Sequence, residues 1–237
     1  MNGVLYGVGV GPGDPGLLTI KAVKTIESAD VLYIPHKDAD KCRAFLIVKE
    51  AVPGARDKQI MSCDFDMIPD DEARRARHEE IYKSVRDVLS EGKTVAFITI
   101  GDPAIYSTFS YIADLARKDG ADIRIISGIS SPAECAASLG ISLCEGDEQL
   151  HVIPGSGQVE YALGLPGTKV IMKCGKDLAR IKNIIAGYIK ESRTPISVYA
   201  VSECGTRNEK CYRGLDELPD SAGYLTTVII KEDYSTS

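Results

Sequence analysis

The chain begins with a short apolar stretch that leads directly into a turn rich in glycine and proline. Residues 5–10 are mostly apolar, which predicts a buried strand, and residues 11–16 read Gly-Pro-Gly-Asp-Pro-Gly. Proline restricts the backbone, and glycine lets backbone atoms approach another molecule because it has no Cβ. A strand that ends in such a rigid and bare loop predicts a small-molecule site at its end.

Two familiar phosphate-binding motifs do not fit this loop. The dinucleotide motif G-x-G-x-x-G would need its third glycine at Pro12 or at Asp14, depending on the register. A P-loop would need Gly-Lys-Ser/Thr, which does not follow. Because Asp14 would also repel a polyphosphate, the loop favours a ligand with hydroxyl groups, amines or positive charge.

Apolar strands and amphipathic helices alternate through the first half of the chain. The strands are predicted at residues 5–10, 31–34, 94–100 and 122–127, and the helices at residues 19–28, 72–89 and 105–117. This β-α-β alternation predicts a parallel sheet with helices on both faces.

The second half has a different pattern. Strands are predicted at residues 151–153, 169–173, 196–201 and 224–231, with one long helix at residues 177–190. We therefore predict an α/β protein of two domains. Residues 1–129 form an αβα domain with a parallel sheet, and residues 130–237 form an α+β domain with a mixed sheet.

Composition indicates the setting of the protein. Of the 237 residues, 44% are hydrophobic and 26% are charged, as in soluble globular proteins. The chain shows no apolar run long enough to span a membrane and no signal peptide, so a cytoplasmic protein is expected. Its seven cysteines and three histidines lack metal-ligand spacing, which predicts reduced thiols and no protein-bound metal.

A second loop follows the apolar strand at residues 94–100. This strand ends abruptly at Gly101-Asp102-Pro103, which alone would be an ordinary turn. In a parallel sheet, however, Asp102 would lie at the carboxyl edge, beside the glycine loop of the first strand. That edge is where open α/β sheets bind ligands.

With residues 9–15, 101–103 and 128–131, the chain resembles the S-adenosylmethionine-dependent tetrapyrrole methyltransferases of corrin and sirohaem synthesis. The resemblance extends over essentially the whole chain. Residues 101–111, 153–155 and 172–173 are most similar to the members that methylate carbon 20 of precorrin-2 or of its cobalt complex. The resemblance implies the two-domain fold of that family, a homodimer, and S-adenosylmethionine bound between the domains, with S-adenosylhomocysteine as product.

The resemblance also implies which residues bind the cofactor. These are Pro12, Gly101, Asp102, Ile105, Tyr106, Ser130, Ser131, Met172, Lys173 and Thr227. The candidate catalytic residues are Tyr106 and Asp102. An enamine-like macrocycle needs no strong base, and a tyrosine, with an ordinary pKa of about 10, is a poor base at neutral pH. Tyr106 is therefore expected to orient the substrate, assist proton loss or pack in a first helical turn, and Asp102 to orient the cofactor or hold its loop.

The acceptor of such an enzyme carries many carboxylates, whereas this chain has a net charge of −6. Local positive charge must therefore attract the acceptor. Lys37 and Arg43, which follow the second strand, are the expected substrate-binding residues, with His36 as a further candidate for binding or proton transfer. The basic run at residues 74–78 is either a second candidate or a solvated helix face.

Three alternatives remain open from the sequence. The chain could methylate another ring position, could carry a tetrapyrrole without turnover, or could methylate a protein. RNA and other nucleic acids are not expected as partners, since the chain has no tryptophan, only four phenylalanines and an acidic balance. The amino-acid sequence leaves open whether the acceptor contains cobalt.

Overall fold

The structure is a computed structural model that describes residues 3–65, 70–192 and 194–232. These residues form two compact units, the first ending at Ser130 and the second beginning at Ser131. The domain boundary predicted from the sequence, after residue 129, lies one residue before this division. Among the described residues, no helix is both long and apolar enough to cross a membrane.

The first unit is built on a five-stranded parallel sheet with the order β3-β2-β4-β1-β5. Its elements are β1 (Val4–Gly9), α1 (Ile20–Ser28), β2 (Val31–Ile34), α2 (Arg43–Ala51), β3 (Gln59–Ser62), α3 (Asp71–Ser90), β4 (Val95–Thr99), α4 (Phe109–Lys118) and β5 (Asp122–Ile126). Every strand therefore ends at the same edge of the sheet, and the loops that follow β1, β4 and β5 meet there.

Helices cover both faces of this sheet because successive strand residues point to opposite sides. On one face, α1 and α2 bury residues such as Ile26 and Phe45 against the sheet. On the other face, α3 and α4 pack around Phe97, which is fully buried in β4. The predicted parallel sheet with helices on both faces is confirmed.

The second unit contains a mixed five-stranded sheet with the order β6-β7-β10-β8-β9. Its elements are α5 (Ser131–Leu139), β6 (Leu150–Pro154), α6 (Val159–Leu163), β7 (Thr168–Met172), α7 (Leu178–Glu191), β8 (Ile196–Ser202), β9 (Lys210–Arg213) and β10 (Thr226–Glu232). Strands β6 and β7 are parallel and the other neighbours antiparallel. The predicted mixed sheet is confirmed.

The structure corrects the predicted element pattern in several places. Elements α2, β3, α6 and β9 were not predicted from the sequence. Strand β3 is an edge strand whose residues are exposed or half-buried, so it has no apolar run that would reveal it. Helix α4 begins at Phe109 rather than at residue 105, because the residues before it form a turn at the carboxyl edge.

Candidate active site

The backbones of three neighbouring strands come together at the carboxyl edge of the first sheet. Just beyond β1, the Val10 amide donates to the Thr99 carbonyl at 3.0 Å. The Gly101 amide, just beyond β4, donates to the Gly11 carbonyl at 2.8 Å. The two loops singled out in the sequence are therefore held directly against each other.

Three glycines, Gly9, Gly101 and Gly128, form a tightly packed cluster at this edge, the glycine cluster. A Cβ on Gly9 would lie 2.5 Å from the Gly101 oxygen and 2.6 Å from the Gly128 nitrogen. A Cβ on Gly128 would meet the same Gly101 oxygen. Because these neighbours are backbone atoms, no side-chain rotation could relieve either contact.

Asp102 joins the loop after β4 to the loop after β5. Its Oδ2 accepts a hydrogen bond from the Gly128 amide at 3.1 Å, and its Oδ1 accepts one from the Ala104 amide at 2.7 Å. Its carbonyl accepts from the Ile105 amide at 3.2 Å. Both carboxylate oxygens thus hold backbone amides, an arrangement that suits an ordering role better than proton transfer.

Gly101 leaves open space beside this ordered loop. Its φ of 71° lies in the left-handed region, which favours glycine. Among the described residues, apart from Gly101 and its two chain neighbours, no atom lies within 4 Å of the position that a Cβ would take. The backbone here is accessible to a ligand, and this open side fits the close approach that a bound S-adenosylmethionine requires.

Tyr106 lies in the turn before α4, and its suggested packing in a first helical turn is wrong. The Ser107 hydroxyl is 3.0 Å from that of Thr99 and accepts a hydrogen bond from the Phe109 amide at 3.2 Å. These bonds delay the helix until Phe109. Tyr106 has a φ of 46° and remains 42% exposed. Such a backbone costs roughly 1–3 kcal/mol and is typical of functional sites.

In the first unit, the structure thus brings Pro12, which follows Gly11, close to the loop of Gly101, Asp102, Ile105 and Tyr106. Ser130 follows Gly128 by two residues at the same edge of the sheet.

The predicted cofactor residues of the second unit form a separate group. Val228 pairs with Ile171 across the antiparallel strands β10 and β7, which puts Thr227 beside Met172. Lys173 follows with a φ of 58°, and its ammonium lies 6.0 Å from the centre of the Tyr224 ring. Burial lowers the pKa of Lys173. Ser131 is the first residue of α5.

The predicted substrate-binding residues follow β2 at the carboxyl edge. Lys37 lies 3.2 Å from the Asp64 carboxylate, and its side chain is 76% exposed. His36 accepts a hydrogen bond from the Asp38 amide through Nδ1 at 2.9 Å, and Arg43 is the exposed first residue of α2. Asp64 offsets part of the positive charge of Lys37. The substrate-binding roles of Lys37, His36 and Arg43 stay predictions.

An aromatic group that was not predicted from the sequence lies at this edge. Tyr111 of α4 stacks on His78 of α3, with ring centroids 4.5 Å apart. Burial, reinforced by nearby Arg74, lowers the pKa of His78. The signal available in the sequence was that Tyr111 lies off the apolar stripe that runs from Phe109 at spacings of three, four and seven residues. Among the described residues, no group of three or more His, Cys, Asp or Glu side chains could hold a metal ion.

Solved structures share this fold across nearly the whole chain. A cobalt precorrin-4 methyltransferase superposes with a TM-score of 0.74 at 22% identity, covering 96% of this chain and 94% of that one. A uroporphyrin-III C-methyl transferase from Thermus thermophilus, solved in complex with S-adenyl homocysteine, gives 0.70 at 17% identity, covering 96% of both chains. At these identities, the likeness establishes the fold.

Several relatives share a higher sequence identity with this chain than these two solved structures do. The chain is 36% identical over 231 residues to a probable cobalt-precorrin-2 C(20)-methyltransferase of Methanocaldococcus jannaschii, covering 96% of this chain and 95% of the relative. It is 31% identical to a precorrin-2 C(20)-methyltransferase of Sinorhizobium, with 96% and 95% covered. It is 29% identical to a cobalt-precorrin-2 C(20)-methyltransferase of Salmonella typhimurium, with 99% and 98% covered. The family model of tetrapyrrole (corrin/porphyrin) methylases matches residues 4–218, and the chain belongs to that family.

Proposed function

We propose that this protein transfers a methyl group from S-adenosylmethionine to carbon 20 of a precorrin-2-type tetrapyrrole in cobalamin biosynthesis. The observation that carries the proposal is its end-to-end similarity, at 29–36% identity, to relatives named for that reaction. The acceptor is precorrin-2 or a cobalt-containing form of this ring such as cobalt-factor II, in which the cobalt enters as part of the substrate.

The carboxyl edge of the first sheet suits one part of this cofactor site. S-adenosylmethionine, when bound, supplies a methyl group on a sulfonium, which is a good leaving group without protonation. The loops at Pro12 and Gly101 present rigid backbone with open space beside Gly101. Asp102 holds these loops in one arrangement through its bonds to Gly128 and Ala104. Ser131, Met172, Lys173 and Thr227 stay predictions.

Positioning accounts for the catalysis in this proposal. Holding two reacting atoms in line, about 3–3.5 Å apart, can supply roughly 7–11 kcal/mol of a barrier. The glycine cluster and Asp102 provide the rigidity that such alignment needs, because backbone packing and backbone hydrogen bonds hold them. Tyr106 is proposed to orient the acceptor from its strained turn rather than to remove a proton.

The test of the function is incubation with isotopically labelled S-adenosylmethionine and either precorrin-2 or cobalt-factor II. We expect one labelled methyl group in the product, found by mass spectrometry and located on carbon 20 by NMR. A methyl group on another carbon would establish a different ring specificity. Tight binding of both molecules without transfer would identify a carrier instead.

Replacing Asp102 with alanine is expected to weaken S-adenosylmethionine binding by about 30- to 150-fold. The variant loses two hydrogen bonds to a charged acceptor, worth roughly 2–3 kcal/mol together at this partly exposed position. Isothermal titration calorimetry measures the loss, and Asp114→Ala, which removes an exposed carboxylate from α4, is the matched control. Unchanged cofactor affinity with a shifted pH–rate profile would show a proton-transfer role.

Tyr106→Phe is expected to slow single-turnover methyl transfer by about tenfold or less. The variant keeps the ring and removes one hydroxyl, and a neutral hydrogen bond is worth roughly 0.5–1.5 kcal/mol. A general acid or base would contribute about 10²–10⁴ in rate. A thousandfold loss with both ligands still bound would therefore contradict the orientation role.

We also propose that the protein is a homodimer, as the family resemblance implies. Its cysteines favour the cytoplasm as its compartment. All seven cysteines are free, including the exposed Cys144 and Cys211, which suits a reducing compartment. Sedimentation equilibrium checks the dimer, and fractionation of the native cells checks the compartment.

A further inference from the structure

An aromatic stack built from Phe65, His78 and Tyr111 lies at the carboxyl edge of the first sheet. His78 and Tyr111 are nearly parallel, with an interplanar angle of 18° and centroids 4.5 Å apart. Phe65 also contacts His78, with ring centroids 5.7 Å apart and the two ring planes tilted by 47°. Tyr111 is 50% exposed, so one end of the stack presents an aromatic ring to solvent.

The other end of the stack is anchored in the core. Phe65 meets Phe97 edge-on at 5.9 Å, and Phe97 is fully buried in β4. His78 continues the stripe of α3 that buries Ile81 and Val85. The exposed ring is thus backed by fixed neighbours, and a rigid aromatic surface loses little entropy when a planar ligand covers it.

Positive charge lies on the same side of α3, one turn before His78. Arg74 and Arg75 precede His78 by four and three residues, the spacing that puts helix side chains next to each other. Arg74 is paired with Asp71 at 2.5 Å. Arg75 is exposed, and within residues 3–65, 70–192 and 194–232 its side chain has no hydrogen-bond or ion-pair partner. A carboxylate bound beside the stack would give Arg75 that partner.

Residues beside the aromatic stack contact two further parts of the first unit, the segment around Lys37 and strand β1. Asp64, which precedes Phe65, pairs with Lys37, and its carbonyl accepts from Nε of Arg77 at 3.3 Å. Phe109, two residues before Tyr111, packs so closely under Gly7 of β1 that a Cβ there would clash with its ring. The first turn of α4 therefore lies against β1, the strand that leads into the first loop of the candidate active site.

From this arrangement, and resting on the proposed function, we propose that Tyr111 is the stacking surface for the tetrapyrrole acceptor and that Arg75 binds one of its carboxylates. The class of ligand follows from the two features together. A flat conjugated ring system covers the aromatic face, and peripheral carboxylates reach the guanidinium. Arg75, from the run that the sequence left as a possible solvated face, then has a binding role.

The test measures binding of cobalt-factor II to the full chain by absorbance titration without S-adenosylmethionine. Tyr111→Ala is expected to raise the Kd at least tenfold, as the loss of one stacked ring does in other complexes, whereas Tyr111→Phe stays within about threefold. Arg75→Glu is expected to raise the Kd by about tenfold at low salt and less at high salt. The KM for the tetrapyrrole should follow the Kd, with kcat changed less.

Two variants serve as matched controls. Tyr161→Ala removes a tyrosine that is 69% exposed in the second unit, and Arg117→Glu reverses an exposed arginine in the last turn of α4. Both should bind cobalt-factor II within about twofold of the wild type. Calorimetric binding of S-adenosylmethionine and the melting temperature report whether Tyr111→Ala remains folded, and Arg75→Glu tests the proposal at an exposed position.

The outcomes separate this proposal from the function on which it rests. If the wild type methylates the tetrapyrrole but Tyr111→Ala and Arg75→Glu bind it normally, the stack is not the acceptor site and the proposed function stands. Weakened binding in Lys37→Glu alone would place the acceptor on that lysine instead and overturn the proposal. If the wild type neither binds nor methylates cobalt-factor II or precorrin-2, both proposals fail.

Discussion

Gly9→Ala is expected to abolish S-adenosylmethionine binding and to destabilise the first unit by roughly 3 kcal/mol or more, the upper end of the cost of overpacking. The new Cβ would lie 2.5 Å from the Gly101 oxygen and 2.6 Å from the Gly128 nitrogen. Relief requires the ends of β1, β4 and β5 to move apart, which displaces the loops proposed to bind the cofactor. Thermal unfolding and calorimetric titration measure the two losses.

Gly187→Ala is the matched control for this prediction. Gly187 lies inside α7, and apart from its chain neighbours and the backbone of α7 itself, no atom of the described residues lies within 4 Å of its Cβ position. Because alanine favours a helix interior over glycine by about 1 kcal/mol, this variant should be as stable as the wild type or more so. A Gly9→Ala protein that melts and binds like the wild type would show that the glycine cluster tolerates a side chain.

The second large effect is expected at Lys169, a lysine buried completely in β7 of the second unit. Its ammonium pairs with Glu232 of β10, and the Tyr188 hydroxyl of α7 donates to the same carboxylate oxygen at 2.7 Å. Burial, together with this bond to Glu232, raises the pKa of Tyr188 to about 12, so the phenol keeps its proton and remains a donor. The buried charges of Lys169 and Glu232 therefore have partners within this group of three side chains.

Lys169→Met should therefore cost about 3–5 kcal/mol, because it leaves the Glu232 carboxylate buried without its cation. Adding Glu232→Gln removes that charge and should recover most of the loss. Denaturant unfolding followed by a probe in the second unit measures both variants. Lys190→Met, at an exposed position near the end of α7, should change stability by less than about 0.5 kcal/mol. Equal stability of Lys169→Met and the wild type would contradict the prediction.

Both loops of the candidate site could be found from the sequence because their chemistry is local. A Gly-Pro turn directly after an apolar strand, and Gly-Asp-Pro after another, mark chain reversals whatever surrounds them. Parallel strands end at one edge, so their meeting followed from the fold class. The family resemblance added the cofactor and the acceptor, and the similarity to relatives confirmed the family.

The start of α4 was beyond the reach of the sequence. Residues 105–108 are compatible with a helix that continues to residue 117, but the Ser107 hydroxyl bonds to Thr99 of β4 and to the Phe109 amide. A contact between the turn and β4 thus decides where the helix begins. That contact also keeps Tyr106 outside the helix, in an exposed position in the turn.

Local patterns by themselves determined most of the strands and helices, the parallel first sheet, the mixed second sheet and the two loops at the carboxyl edge. Only the tertiary structure decided what depends on residues distant in the chain. It brought the backbones of Gly9, Gly101 and Gly128 together, stacked Tyr111 on His78 and buried Lys169 beside Glu232. The physical reason is that hydrophobic periodicity reports which side of an element is buried, whereas the partner across that face is set by how the elements pack.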